Sequence, residues 1–199
     1  MRSFFKLAGL CTAGFLLAAC EPPRGSETNP VATAALLAYA EPGTQIFLRN
    51  NVNGETSEVQ ITADQATGAR GAYIGADGSR GGFYPGCWGC GGGMTIDEEA
   101  YRSLWPLAKG KRTVFLRTAP NGDKARMVIT VAGTERVTTE AGTFETFILD
   151  GRLENLSGAS YSAQVRAWWA PGPGWVIRAR GGDSQGNTLS SEVTKFVLP

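Results

Sequence analysis

Apolar and polar side chains begin to alternate at Thr44 and continue in short runs along the chain. The runs Gln45–Arg49 and Ser57–Thr62 repeat with the period of two that is typical of a half-buried β-strand. Residues 50–54 between them, Asn-Asn-Val-Asn-Gly, are turn formers. The pattern therefore predicts a first antiparallel hairpin.

The second half of the chain is a succession of such runs, separated by turns. Asn121-Gly122 is a strong signal for a two-residue hairpin turn, and Ala141-Gly142 and Pro171–Gly174 separate later runs. Seven or eight antiparallel strands with short connections predict a mainly β fold with one or two short helices, built as a sandwich, an open curved sheet or a half-barrel around one core. The predicted strands cover residues 112–118, 125–132, 135–140, 143–150, 160–170, 175–180 and 189–198.

A short helix is predicted ahead of the first hairpin. Asn29 suits an N-cap and Pro30 suits the first helical position, and the apolar run Val31–Ala40 follows. The sequence Glu41-Pro42-Gly43 ends this run. We expect about two and a half turns of helix here.

A second short helix is predicted near residue 97. Thr95 and Glu98 have the spacing of a capping box, and Pro106 stops the helix. Asp97, Glu98 and Glu99 could form a metal or acid–base cluster, but their interaction with the positive end of a helix explains them more simply. Tyr101, Leu104 and Trp105 supply its apolar side.

The N-terminus carries a different pattern. Arg2 and Lys6 accompany the apolar run Leu7–Ala19, which is too short to span a bilayer and ends in Leu17-Ala18-Ala19-Cys20. This ending resembles the signal of bacterial lipoproteins. The resemblance implies that residues 1–19 are removed and that Cys20 becomes the first residue, acylated at its thiol. An ordinary signal peptide with an incidental Cys20, and an uncleaved apolar helix, are the alternatives.

The same resemblance bears on location. In some Gram-negative bacteria an aspartate after the acylated cysteine retains a lipoprotein in the inner membrane. Glu21 stands at that position, which favours the outer membrane, with the domain facing the periplasm. Residues 21–30 are polar and contain prolines, as expected of a flexible tether. We therefore predict a signal peptide over 1–19, a lipidated cysteine and tether over 20–30, and a single β-rich domain over 31–199.

Charge and composition narrow the function classes. Loss of Arg2 and Lys6 lowers Lys plus Arg from 19 to 17, against 18 Asp plus Glu, so the mature net charge is near −1. This balance gives no electrostatic reason to expect nucleic-acid binding. Histidine is absent, which excludes His-based catalytic triads and most catalytic zinc sites. We expect no enzymatic activity, no cofactor and no metal.

Two cysteines, Cys87 and Cys90, remain after processing and lie within the glycine-rich stretch 68–93. An oxidising periplasm favours a disulfide between them. The spacing also occurs in redox centres, but those lie between a strand and a helix, whereas Gly91-Gly92-Gly93 follows here. We predict a local disulfide, with a redox centre as the second interpretation and free thiols or metal ligands as the third.

Aromatic and basic residues near the C-terminus form a candidate surface. Trp168 and Trp169 are adjacent, so they point to opposite faces of a strand, one into the core and the other a candidate for exposure. Arg166, Arg178 and Arg180 all occupy even-numbered positions on neighbouring predicted strands. This spacing favours one face of the sheet and suggests an anionic ligand. Packing under a loop and a solvated face are the simpler alternatives. The candidate ligand or partner surface comprises Trp168, Trp175, Arg166, Arg178 and Arg180.

Three phrases in the C-terminal half are familiar: Leu104–Lys111, Gly133–Phe147 with its Ala-Gly-Thr-Phe turn, and Trp168–Val176 with its Trp-Trp-x-Pro-Gly turn. They resemble a region of uncharacterised β-rich bacterial envelope domains, over about residues 104–199. The resemblance implies an antiparallel sheet in the cell envelope and carries no catalytic residue with it.

Three functional interpretations follow. The first is a non-enzymatic, lipid-anchored β-domain that binds an envelope protein or an apolar ligand. The second is a carrier-like module for a lipid or lipoprotein, which requires a large apolar cavity. The third is a thiol–disulfide redox protein, which requires an exposed sulfur on Cys87. A filled sheet would leave only the interaction module.

Overall fold

Eleven β-strands form one open antiparallel sheet in the computed structural model, which describes residues 34–87, 89–158 and 160–199. Across the sheet the strand order is β4-β3-β2-β1-β11-β10-β9-β8-β7-β6-β5. The last strand therefore lies between β1 and β10. The strands are β1 Gln45–Val52, β2 Glu55–Thr67, β3 Arg70–Gly75, β4 Arg80–Phe83, β5 Thr95–Ile96, β6 Arg112–Thr118, β7 Lys124–Thr139, β8 Gly142–Asn155, β9 Ser162–Ala170, β10 Trp175–Asp183 and β11 Thr188–Val197.

The prediction of a mainly β, antiparallel fold is confirmed, and of the three predicted forms the open sheet is the one observed. The predicted first hairpin is β1 and β2, with Gln45 opposite Thr62 and Val52 opposite Glu55. The runs predicted as 125–132 and 135–140 are one strand, β7, with a register shift after Val131. A β-bulge of this kind bends a strand without ending it.

Strands β3 and β4 lie in the glycine-rich stretch, where the sequence predicted no strand. A Cβ atom on Gly71 would lie 2.5 Å from the ring of Phe83, and one on Gly81 would lie 2.2 Å from the ring of Tyr73. Large side chains on the neighbouring strand therefore occupy the space above each glycine. The missing side chains hide these strands from an analysis of hydrophobic alternation.

The predicted helix over residues 31–40 is wrong for the part that the structure describes, residues 34–40. Ala35 exchanges two backbone hydrogen bonds with Leu107, at 3.1 and 2.7 Å, and the backbone N–H of Ala40 donates to Gly174 at 3.1 Å. These tertiary partners satisfy the backbone better than an isolated short helix would. The signal, the tether and Cys20 lie outside the described residues.

The second predicted helix is confirmed as α1, Glu98–Arg102. Its N-cap is Asp97, whose side chain accepts from the backbone N–H of Ala100 at 3.0 Å, and not Thr95, which pairs with Thr118 in the sheet. The helix ends before Pro106. The acidic residues thus act at the start of a helix, as expected.

Consecutive residues of the central strands define two faces of the sheet. Leu149, Ala167 and Trp169 define the inner face, and Asp150, Arg166 and Trp168 define what we call the arginine face. Residues 84–107, leaving Trp88 aside, pack on the inner face, and we call them the covering segment. Its buried members include Tyr101, Leu104 and Leu107, each at 0% exposure. The inner face is therefore filled by the chain itself.

Part of the arginine face is also covered. The distal end of the β7–β8 hairpin brings Val137 and Phe144 against Trp168 and Ile177. The tip of this hairpin is held by Arg49, which donates to Glu140 at 2.7 Å. The rest of the arginine face, over β6 to β10, is exposed. That difference sets the position of the candidate site.

Candidate functional site on the arginine face

Strand register places the predicted arginines together. Arg166 lies opposite Asp150 on one neighbouring strand and opposite Arg180 on the other. Arg178 lies opposite Trp168 and Glu192. Because residues directly opposite in a sheet share a face, all three arginines project from the arginine face, as their parity predicted.

Two of these arginines already have partners. Arg166 donates two hydrogen bonds to Asp150, at 2.7 and 2.8 Å, and this contact raises the pKa of the Arg166 guanidinium. Arg178 donates to Glu192 at 2.7 Å and to the carbonyl of Thr138 at 3.0 Å. Arg178 therefore anchors the β7–β8 hairpin, while the side chain of Arg180 is exposed and makes no hydrogen bond or ion pair with the described residues.

The predicted tryptophans are buried. Trp168 is 8% exposed, and its Nε1 donates to Glu135 at 2.7 Å. Trp175 is 6% exposed, and its ring centroid lies 4.3 Å from that of Phe83. Trp169 lies on the inner face. Both faces of β9 carry a buried tryptophan, because the end of the β7–β8 hairpin covers Trp168 and the covering segment covers Trp169. With Trp175 packed against Phe83, neither Trp168 nor Trp175 offers an open ring to a ligand.

Three further arginines join the surface that the sequence indicated. Arg112 lies opposite Thr130, which lies opposite Asp150, so Arg112 shares a row with Arg166 and Arg180. Arg152 lies one row away, opposite Gln164, and Arg126 lies in the next row, opposite Glu154. The sequence shows which residues of one strand share a face with each other. It does not show the register between strands, which brings these arginines side by side. We call Arg112, Arg126, Arg152, Arg166 and Arg180 the arginine patch.

The patch lines two shallow concavities. One, of about 310 Å³, has Arg152, Arg166 and Arg180 on its wall. The other, of about 800 Å³, has Arg112, Arg126 and Arg152 on its wall, with hydroxyl and amide groups from β7 to β9. Arg152 and Gln164 line both. The two concavities are therefore adjacent parts of one surface.

Charge in the patch is locally unbalanced. Arg126 pairs with Glu154, and Arg166 pairs with Asp150. Arg112, Arg152 and Arg180 form no ion pair with any described residue. The five arginines thus have two ion-paired carboxylates, with Glu135 as a further carboxylate near Arg166, although the whole chain is close to neutral. The patch is a local basic surface on a nearly neutral protein.

The cysteine pair lies in the covering segment, away from the patch. Cys87 and Cys90 form the predicted disulfide, and their Cα atoms are 5.5 Å apart. Cys90 is 1% exposed, and Cys87 packs against the inner-face core. A buried disulfide is poorly accessible to an attacking thiolate. This arrangement favours a structural role for the bond.

Tyrosines of the covering segment form a buried polar cluster. Tyr84 donates to Glu98 at 3.1 Å, and Tyr101 donates to the carbonyl of Pro85 at 3.2 Å. Burial raises the pKa of Tyr84 to about 12 and, with nearby Tyr39, raises that of Tyr101 well above its ordinary value. These phenols stay protonated at neutral pH, so the cluster acts as a set of hydrogen-bond donors.

No group of three or more His, Cys, Asp or Glu side chains in the described part of the chain is placed to hold a metal ion. No helix among the described residues combines the length and apolar character needed to cross a membrane.

Several solved structures resemble this chain. The hypothetical lipoprotein YmcC from Escherichia coli K12 aligns over 80% of this chain and 86% of its own, with 12% identity and a TM-score of 0.49. A proposed exported protein with a YmcC-like fold from Bacteroides fragilis aligns over 82% and 99%, with 12% identity and a TM-score of 0.48. A proposed lipoprotein from Parabacteroides distasonis aligns over 83% and 100%, with 12% identity and a TM-score of 0.49. A likeness at this level assigns neither a family nor a function.

No protein-family model matches the sequence, and no curated protein matches it.

Proposed function

We propose that this protein is a lipid-anchored envelope lipoprotein whose β-domain acts by binding, through the arginine face, rather than by catalysis. The main support for this proposal is the contrast between the two faces of the sheet. The inner face is closed by the covering segment, whereas the arginine face keeps exposed arginines that have no partner among the described residues. A surface that the fold leaves open and charged is suited to an external partner.

The anchor rests on the sequence. Leu17-Ala18-Ala19-Cys20 supplies the lipoprotein signal, and the acyl chains, palmitate among them, would attach at Cys20. Two or three such chains make attachment stable, whereas one chain gives only marginal binding. Glu21 favours the outer membrane, and the polar tether over 21–30 lets the domain reach into the periplasm.

The structure favours the interaction module over the two other interpretations. A carrier needs an apolar cavity, but Trp169, Leu104 and Leu107 fill the inner face at 0% exposure. A redox protein needs an accessible sulfur on Cys87, but Cys87 is half-buried against the inner-face core and its partner Cys90 is buried. We therefore propose an envelope component as the partner, docked on the arginine face.

Two experiments test this function. Metabolic labelling with palmitate should label the native chain and should fail for Cys20→Ala, while Lys109→Gln keeps the label. Labelling that persists in Cys20→Ala would contradict the proposed anchor.

The second experiment locates the partner. A photo-crosslinking amino acid is placed at Gln164, which lines both concavities beside the patch, or at Lys109, which follows the covering segment, in the full chain in living cells. Both positions are exposed. We expect a discrete adduct from Gln164 and none from Lys109. Adducts from Lys109 alone, or from neither position, would contradict docking on the arginine face.

A further inference from the structure

We propose that the arginine patch binds a linear anionic chain, one that carries carboxylate or phosphate groups at intervals. This inference deepens the proposed function, because it gives the chemistry of the partner on the same face. It rests on the unusual charge pairing in the patch, on the length of the arginine row and on the groups that surround it.

The charge pairing is unfavourable for folding alone. Arg166 and Arg180 lie directly opposite each other on β9 and β10. Like charges in opposite positions destabilise a sheet, and Asp150 neutralises only one of the two. Arg152, on β8, adds a third positive charge to the same concavity. Functional surfaces typically contain positions that are unfavourable for folding and that no residue of the same chain compensates, such as these opposed like charges.

The row of arginines is longer than a single small anion. Arg112 on β6 and Arg180 on β10 are separated by four strand spacings, because the row passes through Thr130, Asp150 and Arg166. At about 4.8 Å per spacing, their backbones are about 19 Å apart. One phosphate or carboxylate occupies only a small part of that length. A chain with several charges can contact Arg112, Arg152 and Arg180 together.

The side chains of the patch suit such a ligand. The guanidinium group presents a planar fork of donors that matches carboxylate and phosphate oxygens. Gln164 and Ser162 add neutral donors and acceptors along the wall of the larger concavity. The ligand would therefore be held by directed hydrogen bonds as well as by charge.

A membrane surface fits the patch less well. Interfacial binding normally combines basic residues with inserted aromatic or large apolar side chains. On the arginine face, Trp168 is buried and Phe144 is packed in the same cluster, so neither ring is available to insert. The exposed apolar side chains there include Val114 and Leu116, but both are aliphatic and both lie on β6. The observations favour a soluble chain over lipid headgroups, and the experiment separates the two.

The test uses the full mature protein in nonionic micelles. The probes are fluorescent polyglutamate, which supplies carboxylates, and fluorescent polyphosphate. Arg152→Gln with Arg180→Gln removes two unpaired arginines of the patch. Arg102→Gln, in the covering segment, with Lys109→Gln, just after it, removes the same charge from exposed positions outside the patch.

We expect at least one polyanion to bind, and to bind more weakly as salt is added. The patch variant should raise the dissociation constant at least about tenfold, and the control pair should change it by less than about twofold. The tighter of the two probes identifies the charged group. Free inorganic phosphate at the same total charge should compete poorly, because it cannot span the row.

Three results would overturn the inference: neither polyanion binds, the control pair weakens binding as much as the patch variant, or free phosphate competes as well as the chain. Phosphatidylglycerol in mixed micelles that displaces the polyanion at equal phosphate concentration would assign the patch to lipid headgroups and would also overturn it. If Gln164 still forms a crosslink in cells despite these results, the proposed function stands, but the partner is not a linear anionic chain.

Discussion

The inner face and the arginine face are built from the same strands, but the inner face is buried and much of the arginine face is exposed. Trp169 and Leu149 point to the inner face and are completely buried by the covering segment. Asp150, next to Leu149 in the chain, and Arg166, opposite Asp150, remain about one-third and half exposed. Alternation along a strand decides which residues share a face. What packs on that face is decided by segments elsewhere in the chain. The function of this sheet therefore depends on the side that the chain leaves uncovered.

The largest predicted effect concerns the inner face. Trp169→Ala removes a fully buried ring that contacts Tyr39 and Trp105 edge to face, at centroid distances of 6.0 and 5.8 Å. We expect a loss of about 3–5 kcal/mol in the free energy of unfolding, measured by chemical denaturation. Leu36→Ala, at a side chain that is 75% exposed, is the control and should change little. A loss below about 1 kcal/mol for Trp169→Ala would show that the inner face is not the main core.

The disulfide provides the second comparison between the faces. Replacing both Cys87 and Cys90 by Ala opens a small ring in the covering segment, and the chain-entropy model gives a loss of about 2 kcal/mol. The melting temperature should fall, while the Gln164 crosslink in cells should be retained. Loss of that crosslink in a variant that is still folded would indicate a redox role for the pair.

The two adjacent tryptophans differ in one hydrogen bond, which sharpens the comparison further. Trp168 Nε1 donates to Glu135, whereas Trp169 Nε1 is buried and has no hydrogen-bond partner among residues 34–87, 89–158 and 160–199. A double-mutant cycle of Trp168→Phe with Glu135→Ala should give a coupling energy of about 1.5 kcal/mol in denaturation experiments. The matched cycle of Trp169→Phe with Glu135→Ala should give none. Equal coupling in the two cycles would refute the assignment of these rings to opposite faces.

The smallest predicted effect is a loss of stability at alkaline pH. It has no influence at neutral pH, and it arises from a tyrosine that is buried on the inner face. The pKa of buried Tyr101 is raised in the folded protein, mainly by desolvation, whereas the unfolded phenol titrates near 10. The folded state then holds its proton while the unfolded state loses it, so stability is level below pH 10 and falls as the pH rises further.

Denaturation at a series of pH values tests this point. For Tyr101 the loss should approach about 1.4 kcal/mol per pH unit above pH 10. Tyr101→Phe should reduce the slope by that amount, and Tyr73→Phe, at a part-buried tyrosine of β3, is the matched substitution for comparison. An unchanged slope in Tyr101→Phe would contradict the burial of this phenol.

Much of the sheet could be predicted from local pattern, and the reasons for the exceptions are physical. The runs in β1, β6 and β9 predicted strands, and burial alternates along the first five residues of β6 and of β9. Strands β3 and β4 have glycines where an apolar residue would be expected, since Tyr73 and Phe83 on the partner strand fill that space. Residues 34–40 read as a helix because their partners, Leu107 and Gly174, are far away in sequence.

The candidate site was only partly predictable for a related reason. Parity placed Arg166, Arg178 and Arg180 on one face, as observed. It could not indicate that Arg178 is used to hold the β7–β8 hairpin, or that Arg112 and Arg152 lie beside Arg180, because both facts depend on the register between strands. Register is set by turns and bulges, such as the shift after Val131, which hydrophobic pattern does not reveal.

The most direct test of whether the arginine face meets a partner is arginine footprinting with phenylglyoxal, on purified protein and on intact cell envelopes. In the purified protein, Arg152 and Arg180 of the patch and Arg102 of the covering segment should all react, because all three are exposed. In envelopes, we predict that Arg152 and Arg180 are protected while Arg102 reacts as before. Equal reactivity of the three arginines in envelopes, or protection of Arg102 alone, would contradict the account.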